Sequence, residues 1–172
     1  MEWYEKSATQ DYAPAQSNLG VMYYYGNGVK QDYQKAAQWY EKAAAQGLSA
    51  AQHNLGVLYS KGLGVKQDYK KAIELYEKAA AQGYTDAQNN LGNIYINGHG
   101  VKQDYLKAKE WYEKAAAQGL AAAQYNLGVI YINGQGVKQD YQKALEWYEK
   151  AAIQGYASAQ SNLGDIYIMD KE

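Results

Sequence analysis

The tripeptide Asn-Leu-Gly recurs at Leu19, Leu55, Leu91, Leu127 and Leu163, each leucine 36 residues beyond the last (55 − 19 = 36). Laid over one another, residues 13–48, 49–84, 85–120 and 121–156 agree at 22 of 36 positions in all four copies. So strict a period makes the repeat, rather than a globular domain, the unit that has to fold. It also argues against catalysis, because an active site needs unlike groups converging at one place. The chain is therefore not expected to be an enzyme.

Each unit reads as two helices. In the first, Ala15, Leu19, Met22 and Tyr23 share one face of a helix A, and Gly26 suits the left-handed position after its last turn. After the loop Gly-Asn-Gly-Val-Lys-Gln, Asp32 is a good N-cap for a helix B whose apolar stripe is Tyr33, Ala36, Ala37, Tyr40, Ala43 and Ala44. Gly47 stops it, and the apolar residue that follows (Leu48, then Tyr84, Leu120 and Tyr156) fits a Schellman-type cap. Glu74 with Lys78, Glu110 with Lys114 and Glu146 with Lys150 are spaced for i,i+4 pairing on a solvated face, as are Glu41 and Lys42 for solvation alone.

A single hairpin of this length cannot fold by itself, since ordering costs about 1.5 kcal/mol per residue and two short helices bury too little surface to offset it. Neighbouring units must cover one another's stripes, which makes a solenoid. The glycines inside helix A (Gly20, Gly56, Gly92, Gly128) each cost about 1 kcal/mol relative to alanine, so something must press close there. Ala36, Ala72, Ala108 and Ala144 of helix B are the expected neighbours, with Tyr23, Tyr40 and their equivalents filling the space around the approach.

Composition narrows the function classes. All 17 basic residues are lysine against 18 acidic ones, a net charge of −1. Without arginine the chain lacks the planar forks that read phosphates and base edges, so nucleic acid is not an expected partner, and a one-base-per-repeat RNA reader is disfavoured with it. The absence of cysteine removes disulfides and thiolate chemistry and leaves the compartment open. No apolar run reaches the roughly 18–20 residues that span a bilayer, and the opening MEWYEKSATQDYAP has no signal-peptide pattern. Membrane insertion is not expected.

The motif Gln16-x2-Leu19-Gly20-x2-Tyr23 followed by Ala36-x3-Tyr40 resembles the tetratricopeptide pattern. It departs in Gln16 for tryptophan, Tyr40 for phenylalanine, the 36-residue period and the longer Gly26-x-Gly28 loop. The last two features make it similar to the Sel-one-like repeat (SLR) family over essentially the whole chain. The resemblance implies an all-α, right-handed superhelical solenoid of antiparallel helix pairs. The array is expected to be single over 1–172, with a half repeat (helix B) at 1–12, four full repeats at 13–48, 49–84, 85–120 and 121–156, and a half repeat (helix A) at 157–172.

Positions that differ between copies carry individuality. In helix A they include Pro14, Ser17, Val21 and Tyr24, one face of the helix. The resemblance implies that this face lines a concave groove that binds a peptide or protein. The groove residues are then Ser17, Val21, Tyr24 and Tyr25; His53, Val57, Ser60 and Lys61; Asn89, Asn93, Ile96 and Asn97; and Tyr125, Val129, Ile132 and Asn133. Amides, aromatics and aliphatics with almost no charge suit adaptable recognition of a polypeptide. An adaptor or scaffold is the expected function; a designed or excerpted structural scaffold with no native ligand is the alternative, which the near-identity of the copies also fits.

No cofactor or metal is expected. His53 and His99 are the only histidines, and 99 − 53 = 46 is not a multiple of the period, so they occupy different faces. Both read as solvated surface residues. The repeated Gly-x-Gly-Val-Lys neither follows a strand nor ends in lysine and a hydroxyl residue, so it is a structural loop and not a phosphate cradle. Trp39, Trp111 and Trp147 share one repeat position with Leu75, the behaviour of a packing site. Trp3 and Tyr4 at one end, and Leu163, Ile166 and Tyr167 at the other, should present uncovered apolar surface, from which head-to-tail self-association is expected.

Overall fold

The computed structural model describes residues 2–169, with the side chains of 3–166. Every regular element among them is helical: α1 (Glu2–Ala8), α2 (Ala13–Tyr25), α3 (Tyr33–Ala45), α4 (Ser49–Lys61), α5 (Tyr69–Ala81), α6 (Thr85–Asn97), α7 (Tyr105–Ala117), α8 (Ala121–Asn133), α9 (Tyr141–Ile153) and α10 (Ala157–Met169). From α2 onward the even-numbered elements are A helices and the odd-numbered ones B helices, in tandem repeats of 36 residues. The chain forms two compact units, residues 1–87 and 88–172.

The local signals act as their chemistry dictates. Asp32, Asp68, Asp104 and Asp140 each accept a hydrogen bond from the backbone N–H three residues on, at 2.9–3.1 Å, which satisfies one of the orphan donors of a helix start. At the end of α3, Leu48 N–H donates to Ala43 O and Gly47 N–H to Ala44 O, with Gly47 at φ +87°. Those are the two bonds of a Schellman cap. The second glycine of the interhelix loop answers to tertiary structure instead. Gly64 lies against the backbone of Tyr33 and Gln34, and a Cβ at Gly136 would come within 2.7 Å of Tyr105 Cβ, so each loop rests on the first turn of the preceding B helix.

In residues 1–87 the core joins Ala36, Ala37, Tyr40 and Ala43 of α3 to Ala51, Leu55 and Leu58 of α4, the A helix of the following repeat. In residues 88–172 the same arrangement brings α7 onto α8 and α9 onto α10. A hairpin thus hides its apolar stripe on its neighbour. Small alanines on helix B let the backbones approach, while leucine, isoleucine and tyrosine fill the remaining volume.

Two expectations are corrected here. Ala36, Ala72, Ala108 and Ala144 are fully buried, but they do not exclude a side chain from the helix-A glycines. The tyrosine one turn further along the same stripe does. A Cβ at Gly56 would fall 2.7 Å from Tyr76 Cε1, and Gly20, Gly92 and Gly128 lie likewise under Tyr40, Tyr112 and Tyr148.

The Glu74–Lys78, Glu110–Lys114 and Glu146–Lys150 spacings yield no ion pair among the described residues. Lys114 and Lys150 instead lie 4.1 and 4.2 Å from the ring centres of Trp111 and Trp147, and Lys42 lies 4.4 Å from that of Trp39. A tryptophan one turn back offers the ammonium a fixed aromatic face, whereas an exposed ion pair gains little. Lys42 is thus stacked rather than simply solvated.

A buried amide ladder, invisible in the motif, ties the repeats together. Gln16, Gln52, Gln88 and Gln124 are buried. Their side-chain oxygens accept from Gln46, Gln82, Gln118 and Gln154 at 2.8–2.9 Å. The amide nitrogen of Gln16 donates to Ala8 O at 3.1 Å and that of Gln52 to Ala44 O at 3.4 Å. Where tetratricopeptide arrays place tryptophan, this chain spends the position on polar groups at the end of the preceding B helix.

Candidate functional site

The A-helix face rests on a repeated floor. Tyr40, Tyr112 and Tyr148 are 1–2 % exposed, their rings seated on the glycines just described. Burial pushes the hydroxyl pKa values of all three above the ordinary 10.0, so they remain protonated hydrogen-bonding groups. Their partners differ. Asn54 beside Tyr40 and Asn162 beside Tyr148 partly oppose the effect of burial; Tyr112 donates to Asn93 Oδ1 at 2.7 Å, and Tyr76 lies 3.3 Å from Ser60 Oγ.

In residues 1–87 this floor opens into a cavity of about 210 Å³ lined by Val21, Tyr24, Tyr25, Tyr40, His53, Asn54 and Val57. Helix α2 supplies the first three, α3 the floor and α4 the rest. Tyr24 meets Tyr25 and Tyr33 edge-on, with ring centres 4.8 and 5.3 Å apart, and burial raises its pKa, with Tyr25 and Tyr33 adding to the shift.

His53 is held between Tyr76 and Tyr84, ring centres 5.8 and 5.0 Å away, and its Nδ1–H donates to Asn54 Oδ1 at 3.1 Å. Burial lowers its pKa below 6.5, opposed in part by the bond to Asn54 and by Asp86. It is a stacked, partly buried ring and not the solvated surface residue expected; desolvation favours its neutral form.

Residues 88–172 contain the same cavity three periods on. A space of about 400 Å³ is lined by Tyr125, Val129, Ile132, Asn133, Tyr148, Asn162, Asp165 and Ile166. Val129, Ile132, Asn133, Tyr148, Asn162 and Asp165 correspond to Val21, Tyr24, Tyr25, Tyr40, Asn54 and Val57 (129 − 21 = 108). Tyrosine and asparagine are constant; the walls change from tyrosine and valine to isoleucine, asparagine and aspartate. Tyr125 is sandwiched between Tyr148 and Tyr156 at 5.6 and 5.2 Å, as His53 is between its tyrosines.

Of the sequence-predicted groove residues, Val21, Tyr24, Tyr25, His53 and Val57 thus line one cavity, and Tyr125, Val129, Ile132 and Asn133 the other. Ser60, Asn89, Asn93 and Ile96 are half-buried, while Lys61 and Asn97 are exposed. Asn89 accepts from Asn126 Nδ2 at 3.2 Å, and Asn97 Nδ2 donates to Asn93 O at 2.7 Å. Ser17 differs from the others in being buried, at 7 % exposure. His99 sits in the loop after α6, apart from these residues.

Reasoning from variable positions alone missed Tyr40, Asn54, Tyr148 and Asn162, which are constant. A readable signal does exist for the stacked ring: His53 and Tyr125 occur in the repeats whose C-cap is followed by Tyr84 and Tyr156, Ser17 and Asn89 in those with Leu48 and Leu120.

The sequence model of the Sel1 repeat matches residues 1–12, 13–48, 49–84, 85–120 and 121–156. No curated protein matches the chain. Among solved structures it is similar to a protective antigen of uropathogenic Escherichia coli strains that displays an SLR fold, with TM-score 0.95 and 42% identity over 99% of this chain and 36% of that one. A Sel1 repeat protein from Oxalobacter formigenes gives TM-score 0.87 and 37% identity over 94% and 64%. Helicobacter pylori cysteine rich protein B gives 0.60 and 28% over 79% and 98%.

The chain therefore spans about a third of the E. coli protein and just under two thirds of the Oxalobacter protein. Sel1-repeat proteins are generally protein-interaction scaffolds built on a non-catalytic helical solenoid. With the repeat matched from residue 1 to residue 156, this chain belongs to the Sel1 repeat family.

Proposed function

We propose that the chain is a non-enzymatic adaptor, one array over residues 1–172, that binds a peptide or protein along the A-helix face, the concave side of the solenoid. The observation that carries this is the recurrence of one cavity three periods apart with a constant tyrosine–asparagine floor and altered walls. A frame that is kept while the walls facing the cavity differ is what a surface that discriminates between ligands needs.

A pull-down with Tyr24, Asn93, Tyr125 and Ile132 jointly replaced by alanine tests it. Partner recovery should be lost while the helical circular dichroism signal is kept; undiminished recovery overturns the reading.

A second reading is head-to-tail association of this chain. Trp3 is 78% exposed and Tyr4 44%, and Gly164, alone among the described A-helix glycines, has nothing within 4 Å of where a Cβ would stand. Tyr4 precedes Tyr40 by one period, so the ring that covers a glycine elsewhere is available to cover Gly164 of a second copy, beside Leu163 and Ile166. The Tyr167 side chain lies outside the described residues. Light scattering should show mass rising with concentration, and Tyr4→Ala should suppress the rise; a constant monomer mass rejects it.

A further inference from the structure

Resting on the reading of the A-helix face as the interaction surface, we propose that the tyrosine-lined pocket of residues 1–87 seats a proline-rich segment of a partner chain in the polyproline II conformation. Size comes first. At about 210 Å³ the pocket is smaller than the roughly 300–1,000 Å³ of cavities that bury drug-sized ligands. It takes one or two compact side chains of a longer ligand lying across it.

The polar groups the pocket leaves open are its rim hydroxyls. The pocket's amide oxygen, Asn54 Oδ1, already accepts from His53. The Tyr24 and Tyr25 hydroxyls carry no hydrogen-bond partner among the described residues, and Tyr25 is 65% exposed. Both can donate to a carbonyl of a segment lying across the pocket. A polyproline II strand makes no internal hydrogen bonds, so its carbonyls are free to accept, and proline brings no N–H that would go unpaired. Its rings lie flat on aromatic faces, and its conformational entropy is already low before binding.

Charge argues against the other natural occupant of an aromatic pocket, a cation. One tyrosine of each A helix from α2 to α8 does carry a cation. Lys35, Lys71, Lys107 and Lys143 stand 5.1–5.4 Å over Tyr23, Tyr59, Tyr95 and Tyr131. Among the described residues none stands over Tyr24, Tyr25 or Tyr40. The lining contains no carboxylate to balance an incoming ammonium. The equivalent pocket of residues 88–172 does carry a carboxylate, Asp165 in place of Val57, and has lost both rim tyrosines. The proline specificity therefore belongs to the first pocket alone.

The test is a titration of the full 172-residue chain with a deca-proline peptide, followed by amide and aromatic NMR, against a Gly/Ser peptide and a lysine-rich peptide of equal length. Saturable shifts confined to Tyr24, Tyr25, His53 and their neighbours are expected with the proline peptide only. Tyr25→Ala, which removes an aromatic wall, and Val57→Asp, which puts a carboxylate into the lining, should each weaken binding about tenfold, with the amide spectrum outside the pocket unchanged. Shifts absent with the proline peptide, equal with the Gly/Ser peptide, or larger with the lysine-rich peptide overturn the proposal. Its failure is separable from failure of the adaptor reading: the four-alanine variant still loses its partner in the first case and retains it in the second.

Discussion

Tyr112→Ala is expected to destabilise the chain by about 3–5 kcal/mol, the range for truncating a fully buried aromatic side chain. The ring is 1% exposed, covers Gly92 and donates a 2.7 Å hydrogen bond to Asn93. Removing it opens a cavity between α6 and α7 and leaves the Asn93 carboxamide oxygen without that donor. Tyr112→Phe isolates the second effect and should cost only about 0.5–1.5 kcal/mol.

The reverse substitution, Gly92→Ala, drives a methyl group into the same ring. Alanine gains about 1 kcal/mol of helix propensity, but overpacking against a ring with nowhere to go costs about 1–3 kcal/mol, so the net effect is destabilising. Gly164→Ala supplies the control in this chain: with nothing within 4 Å of the added methyl, only the propensity gain is left and stability should rise. Urea unfolding of the four variants measures these effects and their signs. Equal effects of alanine at Gly92 and Gly164 would dismiss the ring-on-glycine account.

That pairing marks where sequence stops being informative. Period, helix limits and caps are legible because they are local: Asp32 and Gly47 act on backbone groups within a turn of themselves. The face that helix B presents to helix A is also legible, since spacing defines it. The height at which that face crosses Gly20 is not, because crossing depends on how two helices settle against each other. Ala36 and Tyr40 are one turn apart on the same stripe, and only packing distinguishes them.

The lysines follow the same logic. Lys114 has Glu110 and Trp111 within reach at i−4 and i−3, and a half-buried indole face prevails over a solvated carboxylate. For the candidate site, differences between copies identify the walls, as with Tyr24 and Ile132, but are blind by construction to the unvarying floor of Tyr40 and Asn54. His53 escaped recognition as a stacked ring because its partner Tyr84 lies in the cap of its own hairpin, a full helical pair away along the chain.

Gln52→Leu is expected to cost about 1–3 kcal/mol, more than its modest change in volume suggests. The native side chain accepts from Gln82 at 2.9 Å and donates to Ala44 O at 3.4 Å, and it is 5% exposed. Leucine keeps the bulk but removes one bond from the Gln82 amide and one from the Ala44 carbonyl, which still accepts from Gly47 N–H at 3.0 Å, each lost bond worth about 0.5–1.5 kcal/mol. Gln82 retains a bond to Gly47 O at 2.9 Å, which puts the loss toward the lower end of the range.

The damage should be local. Ala44 is in the B helix of one repeat and Gln82 follows that of the next, so Gln52 couples two neighbours, and in a repeat array stability is a sum of unit and neighbour terms. Hydrogen exchange should therefore show protection falling most in α3, α4 and α5, and less in α8 and α9. Uniform loss across all helices would mean that the array unfolds as one cooperative body and that the ladder is not a nearest-neighbour coupling. A second substitution, Gln82→Leu on the Gln52→Leu background, removes a donor that has already lost its Gln52 partner and should cost less than Gln82→Leu alone. Strictly additive losses would show that the two amides do not act as a pair.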